Sequence, residues 1–238
     1  MEWWVIGLLL GVGIPIAGAA AGFMRRWLDR RGLATAIRRM PPEPITRVAP
    51  GGGAAAIQGN ARATSTVTCP FHDEPVIGFR VTIEFVQRGS SEQGETTVRQ
   101  SVDFTELEPF EVVDQSGTAL ARGAPSVLLC APHRRDPHQF AVDLTNPWLE
   151  HRIKMEGFSN TDIVSAVDLT CNVRLLRPGS QVYVLGKPER EVDPGSQGES
   201  SYREPPMRLV MEPPGGGVLL VADCHHEALL ESLQARMQ

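Results

Sequence analysis

Cysteine is sparse in this chain: four residues, Cys69, Cys130, Cys171 and Cys224, are spread over 238 positions. Without dense spacing they cannot staple a miniature disulfide fold, and reduced thiols are the expectation. Lysine is nearly missing, since Lys154 and Lys187 are the only two among 23 basic residues. We read this as a compositional bias without mechanism. Positive charge of any kind is scarce beyond residue 50. Residues 1–50 hold seven Arg against three acids, leaving 16 basic and 25 acidic residues in the remainder, so the two parts carry +4 and −9. A part at −9 is poorly suited to gripping phosphate backbones, which argues against nucleic acid as a partner. The Gly-x-x-x-x-Gly-Lys-Ser/Thr phosphate loop, the Gly-x-Ser-x-Gly elbow, the His-Glu-x-x-His helix and internal repeats are missing too.

What is present begins with one long apolar run. Trp3 to Met24 is 22 residues without a charge. At about 1.5 Å of rise each, a helix of that length crosses a hydrocarbon core of roughly 30 Å. Trp3, Trp4 and Trp27 place amphipathic rings at both ends, and Pro15 is tolerated in a membrane helix. The rival reading is a cleaved signal peptide, with Ala17, Ala19 and Ala21 as small residues for cleavage, but its basic n-region is missing. Arg25, Arg26, Arg30 and Arg31 follow the run instead. That asymmetry predicts a single-pass protein with its N-terminus outside and the rest in the cytoplasm. Gly7, Gly11, Gly18 and Gly22 fall within an arc of roughly 60° on such a helix. This bare face suits close packing against a second helix, its own copy included. The alternative is that glycine is simply common in membrane spans.

Residues 25–53 change character, from an Arg-rich juxtamembrane segment to Met40-Pro-Pro-Glu-Pro44 and Pro50-Gly-Gly-Gly53. The expectation is a linker, extended at its prolines and free to swivel at its glycines. From residue 54 to 238 the periodicities are mainly those of strands. Ile77, Phe79, Val81, Ile83 and Phe85 alternate with polar residues. Phe110–Val113 and Thr118–Ala121 flank Asp114-Gln-Ser-Gly117 as a hairpin. Strand, turn and strand are likewise expected across Arg177-Pro-Gly-Ser180, and again from Met207–Met211 to Val218–Ala222. Two short helices interrupt them. One starts at Pro147 behind an Asn146 cap and stops at Gly157; the other follows an Asp223 cap, with Leu229, Leu230, Leu233 and Met237 on one face. Residues 188–206 read as a mobile polar loop. The predicted fold class is mainly β (α+β), a barrel-like multi-strand domain with two short helices, preceded by one transmembrane helix.

Chemistry is thinly signalled. Cys69-Pro-Phe-His72 and Cys130-Ala-Pro-His133 each set a thiol and an imidazole three residues apart, and Cys224-His225-His226 adds further ligand types. Zinc modules usually carry tighter pairs, so the reading is no bound metal and no cofactor, with Cys69, His72, Cys130 and His133 as the residues that would carry a metal. The Cys/His pairs also lack a local orienting group for nucleophilic catalysis. Asp103, Glu106, Glu108, Glu111 and Asp114 read as a solvated face, and no catalytic residue is assigned.

Several segments, in order, resemble the GIDE family, which includes a mitochondrial RING-type E3 ubiquitin ligase. They are Ala56-Ile-Gln-Gly59, Cys69-Pro-Phe71 with Gly78-Phe79-Arg80, Pro109 to Gly117, Leu176-Arg-Pro-Gly-Ser-Gln-Val-Tyr-Val-Leu-Gly186, and Leu219–Ala222 with the final helix. The resemblance covers 54–236 and implies a barrel-like domain held beside a membrane. Two features of the family are missing from these residues: the cross-braced Cys/His run of the RING, and a second transmembrane helix, since Glu227–Gln238 is short and amphipathic. The expected function is therefore a membrane-anchored, non-catalytic binding module of the GIDE type, engaging the bilayer and an unidentified protein or ligand. The alternative is a ubiquitin-ligase component whose RING is supplied in trans.

Overall fold

Alternating runs separated by Gly and Pro turns form strands through much of the described part of the chain. The computed structural model describes residues 30–72, 74–91, 94–124, 126–129, 133–135, 147–159, 163, 166, 168–193, 207–215 and 217–235. The predicted span and its glycines, Gly7, Gly11, Gly18 and Gly22, lie outside the described residues. Among the described residues no helix is long and apolar enough to cross a membrane.

In chain order the elements are helix α1 (Arg30–Arg39), the 3-10 turn η1 (Ile45–Arg47), β1 (Ala55–Ala63), β2 (Val67–Thr68), β3 (Pro75–Val76), β4 (Gly78–Ser91) and β5 (Gly94–Leu107). There follow β6 (Phe110–Val113), β7 (Thr118–Ala121), β8 (Ser126–Leu129), β9 (His133–Arg135), α2 (Pro147–Met155) and β10 (Asp168–Leu176). The chain continues with β11 (Gln181–Val192), β12 (Met207–Glu212), β13 (Leu219–Ala222) and α3 (His226–Ala235). Two units can be told apart. One is Pro42–His225; the other joins the segment up to Pro41 with His226–Gln238. In that second unit Ala34 and Ile37 of α1 and Leu229 and Leu233 of α3 are buried, and His226 Nε2–H donates to the Ile37 carbonyl at 2.9 Å.

Within Pro42–His225 there are two principal sheets. In the smaller, ordered β5-β4-β10-β9, the apolar residues of β4 face one way: Phe79, Val81, Ile83 and Phe85 are buried while Glu84 is exposed. They meet Val102 and Phe104 of β5, Cys171, Val173 and Leu175 of β10, and Leu149 and Ile153 of α2 in one core. Phe158, just past α2, sets its ring edge-on to Phe85 at 5.3 Å between centroids. Gly157, where the sequence predicts the helix to stop, has a φ of +84°, a value that glycine adopts without strain.

The larger sheet runs β1-β6-β7-β12-β11-β13-β8, and β1 also pairs with β11. The pairing is therefore cyclic through β1, β6, β7, β12 and β11, antiparallel at every step except the parallel contact of β7 with β12. Two strands change partners along their length. Ala55–Asn60 of β1 pair with β11 and Asn60–Ala63 with β6; Gln181–Gly186 of β11 pair with β1 and Lys187–Val192 with β12. A glycine stands at each handover because the backbones come too close for a side chain. A Cβ on Gly59 would run into the Val113 carbonyl, and one on Gly186 would lie 2.7 Å from the Glu212 carbonyl. Alternate residues of all five strands, among them Ile57, Phe110, Ala119, Val184 and Met211, share a single core.

Four expectations change. The compact unit starts at Pro42 rather than at residue 54, because Ile45 and Val48 are buried in the larger core and the segment is tied down by backbone bonds, Glu43 N–H to the Ala56 carbonyl (2.9 Å) and Gly51 N–H to the Pro188 carbonyl (2.9 Å). The 188–206 loop is shorter, since Pro188–Val192 continue β11; residues 194–206 lie outside the described residues. Those strand residues look loop-like in sequence but are held across strands by charge, with Glu191 accepting from Arg208 Nε at 2.7 Å and pairing with Arg122 at 2.7 Å. The strands expected on either side of Arg177–Ser180 and of residues 213–217 form, but they do not pair with each other: β10 and β11 belong to different sheets, and β12 and β13 both pair with β11. Finally, α3 begins at His226, three residues beyond its expected Asp223 cap.

Candidate functional site

The hairpin β6–β7 forms as its sequence predicts, and its turn organises the site. Asp114 Oδ1 accepts from the N–H of Ser116 (2.6 Å) and of Gly117 (2.8 Å) and from the Ser116 hydroxyl (2.7 Å), a side chain folded back to build its own turn. Its other oxygen, Oδ2, accepts from Ile45 N–H at 3.0 Å, and Thr46 N–H donates to Ser116 Oγ at 3.2 Å. One carboxylate thus shapes the turn and clasps the segment 42–48 beside it. Partial burial alone would raise the Asp114 carboxyl, but the donors from Ile45, Ser116 and Gly117 outweigh it and hold the group below its ordinary value.

Beside this clasp lies a cleft of about 760 Å³. Gln58, Gly59 and Asn60 of β1 form one side and Gln181 of β11 another, while the β6–β7 turn brings Gln115 and Ser116, and Pro42, Glu43 and Pro44 close it. Its place follows from the topology. Asn60 is opposite both Gln181 and Val113, so the cleft opens where β1 passes from one neighbour to the other. Three side chains at Gln58, Asn60 and Gln181 are carried on paired strands; Gln58 Nε2–H donates to His225 Nδ1 at 3.0 Å. Among the described residues, no Arg, Lys or aromatic residue lines it. A second cleft, of about 490 Å³, has a different character: Arg62, Arg190 and Arg208 line it with Glu111 and Asp193.

Among the described residues, the Cys and His residues marked out by the sequence do not gather at the cleft. Cys69 is buried in the core of the smaller sheet, and His72 N–H donates to its carbonyl at 3.0 Å. His133 lies in β9 opposite Val173, and Cys130 falls outside the described residues. Among the described residues, no three His, Cys, Asp or Glu side chains group to hold a metal ion. Burial, with Asp223 close by, pushes the Cys224 thiol up to about 11, which keeps it protonated at neutral pH. The acidic stretch is divided among separate partners: Asp103 with Arg80, Glu106 with Arg152, Glu108 with Ser65, Glu111 with Arg62, and Asp114 in its turn.

No family model, curated protein or solved structure matches the chain. The site's own geometry therefore carries the functional argument. The amide-lined cleft was not marked out by the sequence, because single Gln and Asn residues at 58, 60, 115 and 181 carry no local signal until strand pairing gathers them.

Proposed function

We propose that the chain is a membrane-anchored binding module of the GIDE type, a barrel-like domain that engages a protein or ligand beside a bilayer without performing chemistry on it. The observation that carries this reading is the cleft, whose lining is recognition chemistry: side-chain amides, a hydroxyl, prolines, and a carboxylate committed to the backbone. The cyclic pairing of five strands, with a glycine at each handover, supports the barrel. Three of the segments that resemble the GIDE family, around Gln58, Asp114 and Gln181, each supply part of the cleft wall. The anchor rests on the uncharged Trp3–Met24 run, and the cytoplasmic placement on the arginines that follow it.

Topology is tested by thiol labelling of intact cells from either side, using Gly53→Cys in a background that carries Cys130→Ser and, because Cys224 is only half-buried, Cys224→Ser. A Cβ at position 53 meets nothing within 4 Å, whereas Cys69 and Cys171 are buried. The expected result is labelling by a permeant reagent alone; labelling by an impermeant reagent would overturn the cytoplasmic placement.

A further inference from the structure

We infer that the amide-lined cleft takes an extended peptide segment carrying a basic side chain. The inference rests on the binding-module reading and names its ligand class.

The lining restricts the chemistry. Without Arg or Lys the cleft offers no charged donor for a phosphate or a carboxylate. Without an aromatic ring it gives a nucleobase nothing to stack on. What it offers are Asn60, Gln115 and Gln181, each supplying one carbonyl acceptor and one NH2 donor group. That is the complement of a peptide bond, which presents one N–H and one C=O at every residue. The volume falls within the ~300–1,000 Å³ of ordinary ligand clefts, suited to a short segment rather than a folded domain. Pro44, with φ −54° and ψ +134°, stiffens one wall in an extended conformation along which a second extended chain can lie.

Charge selects among peptides. Two carboxylates line the cleft. Asp114 is fully occupied by the turn and the Ile45 N–H, but among the described residues the Glu43 side chain makes no ion pair or hydrogen bond. A free carboxylate in a cleft whose lining, among the described residues, holds no Arg or Lys attracts a guanidinium or ammonium group. Arg62, Arg190 and Arg208 line the second cleft instead.

The test uses the full chain, immobilised in detergent micelles. It is offered three heptapeptide libraries with random flanks and Arg, Glu or Ala fixed at the centre, and the retained peptides are read by mass spectrometry. The Arg library should be retained about fivefold over the Ala library, the scale of one exposed ion pair. Glu43→Gln should bring the Arg library down to the Ala level, and Asn60→Arg should abolish the preference by placing a positive charge in the cleft. Both positions lie at the cleft surface, and an unchanged urea midpoint confirms folding. Equal retention of all three libraries, or an Arg preference that survives Asn60→Arg, would overturn the inference. Preference for the Glu library would assign recognition to the arginine-lined cleft, overturning the inference while leaving the binding-module reading intact.

Discussion

Single residues decide whether the strand circuit closes. Gly186 sits where β11 leaves β1 for β12, and an added Cβ would press on the Glu212 carbonyl at 2.7 Å and Leu219 Cδ1 at 2.8 Å. Both neighbours lie in strands and have little room to yield, so Gly186→Ala should cost about 1–3 kcal/mol, read as a fall in the urea midpoint. Gly179→Ala, by contrast, meets nothing within 4 Å and carries only the strain of its φ of +82°. Asp114 acts in a different way, through donors rather than close approach. Asp114→Ala removes the acceptor for four hydrogen bonds from Ile45, Ser116 and Gly117, and should cost about 1–2 kcal/mol at neutral pH. Because the folded-state pKa is lowered, the carboxylate's contribution is complete above the ordinary carboxylate value of about 4 and is lost as pH falls through the native value. The stability gap between wild type and variant should therefore hold constant from pH 8 to pH 6 and narrow below about pH 4.

At the scale of elements, what could be read from the sequence was local. Alternation from Ile77 to Phe85 revealed β4, although Ile77 itself precedes the strand and is buried in the larger core, and the Asp114–Gly117 turn revealed β6 and β7 to the residue. The partners of β10, β12 and β13 were not legible, because pairing between strands distant in sequence leaves no periodic trace. The charged end of β11 looked like loop, since Glu189-Arg-Glu191 has no apolar alternation; it is strand through its ladder with β12, across which Arg208 pairs with Glu191. Helix α2 was legible from its Pro147 start and Gly157 stop, and its packing is testable. Leu149 and Ile153, one turn apart, are both fully buried against the smaller sheet. Ile153→Ala should leave a cavity and cost about 2–4 kcal/mol in urea denaturation, whereas exposed Met155→Ala should change little.

For the molecule as a whole, the division of charge drawn from the sequence alone, +4 up to residue 50 and −9 beyond it, frames both halves of the functional account. The positive part flanks the apolar run and supports a membrane anchor; the negative part supplies most of the wall of a cleft whose described lining holds no Arg or Lys. The measurement that bears most directly on this account is site-specific photo-crosslinking of the full chain in carbonate-washed native membranes. A crosslinker at position 115, in the cleft, is compared with one at Val98, an exposed position on β5 outside the cleft. The account predicts that the chain stays with the washed membranes and forms a discrete adduct from position 115 alone, competed away by the Arg-centred heptapeptides. A chain released by the carbonate wash, or adducts formed equally from positions 98 and 115, would contradict it.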